Sequence, residues 1–244
     1  ETKEFLQIRR ECLPFPAVGC DEIHREIERL SIRESVLSEP QFMRLRVASE
    51  TINEVLAALK GRDAMNPRIF YLLRNVLSTT ELIDPIDGVF DPKGQVRSNA
   101  SSKLVSIRED MIRVRRSINR QFIRVMKDCG ERGWLADTKE GFINDRRVLA
   151  INSTHKRKLT GTVLGQSNNG SITFIEPGIN VSLNFEMEML RDDERKEILR
   201  ILRELTQKIR KHLPLIKAYQ VLLVELDWMR AKVQLAQDMG GDLP

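Results

Sequence analysis

Two long stretches with helical periodicity flank a short stretch with a period of two, and this arrangement constrains the fold more than any other feature of the sequence. From Ser101 to Asp128, residues on one side recur in steps of three and four, with one polar interruption: Leu104, Ile107, Met111, Val114, Ile118, Gln121 and Val125. The pattern returns between Leu183 and Leu213 with Ile198, Leu202, Leu205, Ile209 and His212. Heptad spacing is typical of helices that pack lengthwise on a partner. We therefore predict that the two helices pair as a long antiparallel coiled coil.

The stretch between these helices has the period of β-strands. We predict strands over Gly141–Ile151, Leu159–Leu164 and Ser171–Ile175, with a hairpin loop at 166–170, where the residues tolerate positive φ. A small β-rich insert is thus expected at the tip of the helical arm.

The remaining chain is predicted to form a helical core. Helices are expected over 21–37, with Asp21 as N-cap, over 40–60, from Pro67, and over the last segment after Pro214. Turn dipeptides such as Asp84-Pro85 favour a connecting loop over 83–99. The predicted fold class is mainly α: a helical core with a long antiparallel coiled-coil arm that carries a small β-containing insert at its tip.

Charge favours a polyanionic partner without requiring one. The 244 residues carry a formal net charge of +5, and the helix predicted over 101–128 has eight Lys or Arg against three Asp or Glu. A basic helix of this kind faces either solvent or a polyanion. The three cysteines are scattered, which argues against a disulfide framework and favours a reducing cytoplasm.

Several classes of site are not predicted. The histidines lie far apart without neighbouring ligands, so no metal is expected, and no apolar run reaches the ~20 residues that span a bilayer. The run Gly165–Ser171 has the glycine spacing of a phosphate-binding loop, but it lacks the lysine and precedes a strand. Asp192, Asp193 and Glu194 fan around a helix and cannot converge on one ion. We expect neither catalysis by this chain nor a cofactor bound to it.

Basic residues in the insert are the candidate nucleic-acid ligands. The first set, expected to contact backbone phosphates, is Arg146, Arg147, Lys156, Arg157 and Lys158; a second set, lining the arm, is Arg113, Arg116, Arg120 and Arg124. Lys156–Lys158 are expected in a turn, where long cations reach phosphates. The alternative is an ordinary solvated hairpin.

Two motif blocks resemble a known family. One is Asp91–Arg108, with its Gly, Val-Arg, Ala-Ser, Leu and Ile-Arg elements. The other comprises Gly161, Val163, Ser167, Gly170, Thr173 and the run Phe174-Ile175-Glu176-Pro177, continued by Val181, Leu183-Asn184, Glu186 and Leu190. Leu226-Asp227 with Ala231-Lys232 adds a weaker likeness near the end. Together they resemble the second bacterial branch of the MutS superfamily (MutS-two). Phe174-Ile175-Glu176 imitates the Phe-x-Glu wedge of mismatch sensors, but we interpret Phe174 and Ile175 as packing residues and Glu176 as a local hydrogen-bond acceptor.

The resemblance implies an organisation and a function. It implies a helical core over 1–100, an ascending lever helix over 101–130, a clamp over 131–182, a descending lever helix over 183–213, and a returning core helix over 214–244 that leads to an ATPase domain outside this chain. The implied function is a clamp module that grips DNA, branched or otherwise structured, in repair and recombination control. The intact protein would be a cytoplasmic homodimer that uses ATP and Mg²⁺, and the resemblance implies a C-terminal nuclease domain outside this chain. The alternative is a coiled-coil interaction arm that engages a protein or ribosomal partner in splitting stalled ribosomes.

Overall fold

The computed structural model describes residues 2–10, 23–61 and 66–238, which form two compact units. The first unit contains the described residues up to Ala100 and those from Ile198 onward, and the second unit is Ser101–Glu197. The predicted N-cap Asp21 and the thiols Cys12 and Cys20 lie outside the described residues. Over the described ranges, none of the helices has the length and apolar character needed to cross a bilayer.

The first unit is helical and packs around its last helix. Its elements are α1 (Thr2–Arg10), α2 (His24–Ser31), α3 (Glu39–Leu59), α4 (Pro67–Leu73), α5 (Ile83–Val89), the end of α7 (Gly178–Arg210) and α8 (Leu213–Asp238). Helix α8 buries one side against α1, α2 and α3, through Ile216, Tyr219, Leu222, Leu223, Leu226, Met229 and Val233. The helices predicted over 40–60, from Pro67 and after Pro214 are confirmed. The helix predicted over 21–37 is shorter, because α2 ends at Ser31.

The loop predicted over 83–99 is wrong in part, because α5 occupies its first half. Pro85 lies in the first turn of α5, where the missing N–H would have no partner within the helix, so the proline does not break it. After α5, Phe90 and Val96 form an isolated antiparallel bridge around a turn. The Asp91 carboxylate accepts hydrogen bonds from the backbone N–H groups of Lys93 (2.8 Å) and Gln95 (2.9 Å). These hydrogen bonds stabilise the ionised carboxylate and lower the pKa of Asp91, and the bond from Gln95 has the larger effect.

The second unit packs a helix against one face of a sheet. Its elements are α6 (Ser102–Glu131), β1 (Leu135–Ile143), β2 (Arg146–Asn152), β3 (Gly161–Gln166), β4 (Ile172–Pro177) and the first part of α7. The strands are antiparallel in the order β1-β2-β4-β3. The core is made by Phe122, Cys129, Leu149, Ile151 and Ile175. Burial raises the pKa of the Cys129 thiol, as desolvation disfavours the thiolate.

Two hairpins build the sheet, and the sequence predicted only one of them. The β3–β4 hairpin with its loop at 166–170 is confirmed. The single strand predicted over Gly141–Ile151 is wrong, because Asn144 (φ 50°) and Asp145 (φ 60°) form a two-residue turn between β1 and β2. Positive φ at both residues is the type I′ geometry that suits the twist of a hairpin. In the edge strand β3, a Cβ on Gly161 would collide with the carbonyl oxygen of Glu176.

The predicted long coiled-coil arm is wrong, although the two long helices exist. The apolar residues that suggested a seam in α7 begin at Ile198, and these residues pack within the first unit. There the backbone N–H of Leu37 donates to the Thr206 hydroxyl at 3.1 Å. The part of α7 that belongs to the second unit buries only Asn180, Met187 and Glu197. Three buried positions in the 20 residues 178–197 do not form the continuous apolar seam of a coiled coil. The side-chain hydrogen bonds that join this part of α7 to α6 include Asn180 to the Ile118 carbonyl, Arg108 to Glu194 and Ser101 to Glu197.

Candidate nucleic-acid interface

The turn after β2 presents three consecutive cations. A short 3₁₀ turn, Ser153–His155, leads into Lys156, Arg157 and Lys158, and all three side chains are exposed. The turn is anchored on the neighbouring hairpin, because the Ser153 backbone N–H donates to the Ser171 carbonyl (2.9 Å). Within the described ranges, no carboxylate lies within ion-pairing distance of these cations. The turn predicted at this position is confirmed, and its charges are available to a ligand.

Arg146, predicted as a phosphate ligand, is already engaged by two carboxylates. Its guanidinium donates to Glu176 at 3.0 Å and to Glu188 at 2.9 Å. Glu176 is fully buried and also accepts from the Asn184 side chain at 2.6 Å. Both hydrogen bonds stabilise the charged guanidinium and raise the pKa of Arg146, and the bond to Glu176 has the larger effect. The arrangement ties β2 to β4 and α7, and it gives Arg146 a structural role.

Arg147 is similarly occupied on the other face of the strand. It donates to Glu140 of β1 at 2.7 Å, and its guanidinium lies 4.3 Å from the centre of the Phe122 ring. Only 23% of its side chain is exposed. A cation that pairs with a cross-strand carboxylate and stacks on a core ring stabilises the sheet. For both Arg146 and Arg147, phosphate binding stays a prediction.

The second predicted set forms a stripe on α6. The four arginines at 113, 116, 120 and 124 are spaced so that they share one face of the helix, and all are exposed. Arg113 pairs with the nearby Asp110 at 2.7 Å. In the part of the chain that the structure describes, Arg116, Arg120 and Arg124 have no ion-pair partner. Arg113, Arg116 and Arg120 line a shallow groove together with Glu109, Ile112 and Ser117.

A second groove brings the two predicted sets together. It lies between α6, the start of β1, the turn at 156–160 and the start of α7, and both Arg124 and Lys158 line it. Arg132 and Trp134, which the sequence did not single out, line it too. The guanidinium of Arg132 lies 5.0 Å from the centre of the Trp134 ring, and the Lys158 ammonium lies 5.8 Å from it. The sequence signal for Trp134 was a tryptophan next to Gly133 and Arg132, between the predicted helix and the predicted strands.

The acidic run on α7 is used for ion pairs. Asp192 pairs with Arg195, Asp193 with Lys196 at 3.6 Å, and Glu194 with Arg108 at 2.7 Å. Each carboxylate therefore faces a different cation. Among the described residues, no group of three or more His, Cys, Asp or Glu could hold a metal ion.

Known proteins with similar sequences share one description. Endonuclease MutS2 of Clostridium perfringens strain SM101 is 34% identical over 248 residues, covering 100% of this chain and 31% of that protein. The chain belongs to the MutS2 branch of the MutS superfamily. Endonuclease MutS2 of Streptococcus sanguinis is 28% identical, covering 89% of this chain and 31% of that protein. That of Alkaliphilus oremlandii is 27% identical, covering 98% and 30% respectively. No protein-family model matches.

The chain thus spans about 31% of the length of these curated relatives. The residues that resemble the MutS2 branch have structural functions in this chain. The Ser101 hydroxyl caps α6 by accepting from the Leu104 N–H at 3.0 Å. Ile175 is buried in the core and Glu176 accepts two side-chain hydrogen bonds, as the sequence predicted, whereas Phe174 is half-buried.

Proposed function

We propose that the second unit of this MutS2-branch chain binds DNA through its backbone phosphates. The single observation that carries the proposal is the exposed turn Lys156–Lys158, whose three cations have no acidic partner among the described residues. The α6 arginine stripe extends this positive surface, since Arg124 and Lys158 line the same groove. Clustered cations without carboxylate partners favour a polyanion.

The arrangement favours recognition of DNA shape and charge over base identity. Lysine and arginine contacts to phosphates fix position but carry little sequence information. From Arg113 to Arg124 the stripe covers roughly 16 Å of helix, at ~1.5 Å per residue. Duplex DNA carries one charge per ~1.7 Å of axis, so several phosphates fall within reach of the stripe.

The test is fluorescence anisotropy of the 244-residue chain on linear duplex and four-way-junction DNA across a salt series. Each phosphate contact contributes about 0.9 to the slope of log K against log salt. Changing Lys156, Arg157 and Lys158 together to alanine should therefore reduce that slope by about two to three and weaken binding to both DNAs.

A matched control removes the same charge elsewhere in the second unit. Arg191, Arg195 and Lys196 are exposed on α7, and the last two pair with neighbouring aspartates. Their triple alanine variant should retain nearly the original slope. Equal losses in both triple variants would show that net charge matters and position does not. Absence of binding to either DNA at low salt would refute the proposal and favour the protein or ribosomal partner.

For the whole protein, we propose that ATP-driven closure and endonuclease activity reside in segments outside these 244 residues. The relatives carry the description endonuclease, and this chain matches about a third of each. The purified chain should neither hydrolyse ATP nor cleave a four-way junction in the presence of Mg²⁺. ATP hydrolysis or DNA cleavage by the purified chain that a point mutation within the chain abolishes would contradict this assignment.

A further inference from the structure

Trp134 is a fixed aromatic ring at the groove shared by α6 and the basic turn. Its backbone N–H donates to the Cys129 carbonyl and its carbonyl accepts from Asn152, both at 2.9 Å. The indole packs against the core of the second unit and remains partly exposed. The ring thus lies in the short connection between α6 and β1, where its backbone is hydrogen-bonded on both sides.

Three cations share the groove with this ring. Arg124, Arg132 and Lys158 line the groove, and Asp128 is its one acidic lining residue in the described chain. Asp128 pairs with Arg132 at 3.2 Å, which leaves Arg124 and Lys158 without a carboxylate partner among the described side chains. The groove thus combines an aromatic surface with excess positive charge.

This combination fits a ligand that is both flat and anionic. Aromatic rings bind bases by stacking, while lysine and arginine beside them bind phosphates. The groove volume of about 570 Å³ lies within the range of small-ligand sites. Arg132 and Lys158 have long side chains whose charged ends are exposed, so they can turn from the ring to phosphates as a base arrives.

The ring would be unnecessary for gripping intact duplex. Bases inside a duplex are stacked on each other, and a protein that binds only the duplex backbone needs cations alone. A partly exposed tryptophan beside cations that suit phosphates therefore favours a ligand with an unpaired base.

We infer that the Trp134 groove takes an unpaired nucleotide of a DNA strand, with its base stacked on Trp134 and its phosphates bound by Arg124, Arg132 and Lys158. This inference rests on the proposed DNA binding and names the feature that the second unit would prefer, a branch point or single-stranded segment. Binding of the phosphates would fix the position of the strand, and stacking on Trp134 would require a base that is not paired.

The direct test uses the tryptophan itself. The chain has two tryptophans, so Trp228→Phe leaves Trp134 as the only indole. Titrating this variant with a ten-residue oligothymidylate at low salt should quench its fluorescence to saturation. A duplex of equal charge should quench it much less. Equal quenching by both, or none by the oligothymidylate, would overturn the inference.

A binding test supplies the matched control. Trp134→Leu should weaken oligothymidylate binding about 5- to 150-fold, the loss expected for one stacked base, and should leave duplex binding within about twofold. Trp228 is a suitable control because it too is exposed and has a lysine, Lys232, 4.8 Å from its ring centre. Trp228→Leu should change neither affinity.

The outcomes separate the two proposals. If duplex binding depends on Lys156–Lys158 but Trp134→Leu does not change single-strand binding, the inference is refuted and the proposed function stands. Loss of all binding in the unaltered chain would remove both. If Trp134→Leu lowers the unfolding midpoint in urea, Trp134→Phe replaces it in the test because phenylalanine keeps an aromatic ring. Trp134→Phe should retain at least half of the single-strand affinity. An affinity as low as that of Trp134→Leu would count against stacking.

Discussion

The strongest structural prediction concerns Arg146, whose replacement by alanine should destabilise the second unit. Arg146 is the only charged partner among the described residues that donates to the buried carboxylate of Glu176, at 3.0 Å. In Arg146→Ala that carboxylate keeps only the hydrogen bond from Asn184, at 2.6 Å. A charge in a buried site without its counterion carries most of its desolvation cost uncompensated.

The expected loss follows from the burial of the two partners. Removing one partner of a buried ion pair costs about 3–5 kcal/mol. Glu176 is 0% exposed, but the Arg146 side chain is 33% exposed, so water partly replaces the guanidinium and the lower end of that range applies. The second bond, to Glu188 with 55% exposure, adds at most about 1 kcal/mol. We expect the free energy of unfolding to fall by about 3 kcal/mol.

Urea denaturation followed by Trp134 fluorescence in the Trp228→Phe background measures this loss in the second unit. Arg157→Ala, which removes the same charge from the exposed turn, should change the free energy by less than about 0.5 kcal/mol. Adding Glu176→Gln to Arg146→Ala should recover part of the loss, since a neutral amide is less costly to bury than an unpaired carboxylate.

Two results would refute this reasoning. One is an Arg146→Ala variant within 1 kcal/mol of the parent, the size of an exposed ion pair. The other is a double variant as unstable as Arg146→Ala alone, which would assign the effect to lost packing. A fall in the DNA affinity of Arg146→Ala can be assigned to a lost phosphate contact only if the variant is shown to remain folded.

Three further perturbations test other parts of the fold. Desolvation raises the pKa of Tyr219 to about 12 from 10.0, so the folded state keeps the phenolic proton to higher pH than the unfolded state does. The free energy of unfolding should therefore fall by about 2 kcal/mol between pH 10 and 12. Comparing the urea stability of the parent with that of Tyr219→Phe isolates this fall, and parallel pH profiles would contradict it. Gly161→Ala should cost about 1–3 kcal/mol by forcing β3 away from the Glu176 carbonyl, while Gly141→Ala, with no atom closer than 4.0 Å to the added carbon, should cost less in the same thermal melts. Cys129, buried and with a raised pKa, should resist alkylation at pH 8 until the second unit unfolds, as read by peptide mass mapping; labelling at the rate of a free thiol would show that the helix end opens.

The sequence predicted the long helices because their signal is local. In α6 the apolar spacing and the Ser101 cap both lie within the helix that they define. The partner of a helix is a different matter, since a heptad pattern shows that a helix is buried along one side and does not show against what. Ile198–Ile209 carried the same signal as Leu104–Val125, yet these residues pack with the first unit, as the Leu37–Thr206 hydrogen bond shows.

The candidate site was predictable to the extent that it depends on exposure. Lys156–Lys158 follow polar residues in a turn, and the structure leaves them exposed. Arg146 looked equivalent in sequence, but its partners Glu176 and Glu188 are 30 and 42 residues away. The sequence alone does not reveal such pairing. Trp134 was missed for a related reason, because its cations come from two separate segments.

The first unit is assembled from two separate parts of the chain, and this has a consequence for its synthesis. Its contacts join distant residues: Ile23 donates to Gln220, and Tyr219 donates to the Leu77 carbonyl. The second unit is complete once Glu197 has been made, whereas the first needs α8. At roughly 5–20 residues per second, the roughly 140 residues between Ala100 and the end of α8 take about 7–28 s. During that interval the surfaces of α1 and α2 that pack on α8 are without that partner, so the first unit finishes folding after the second although most of its helices are made earlier.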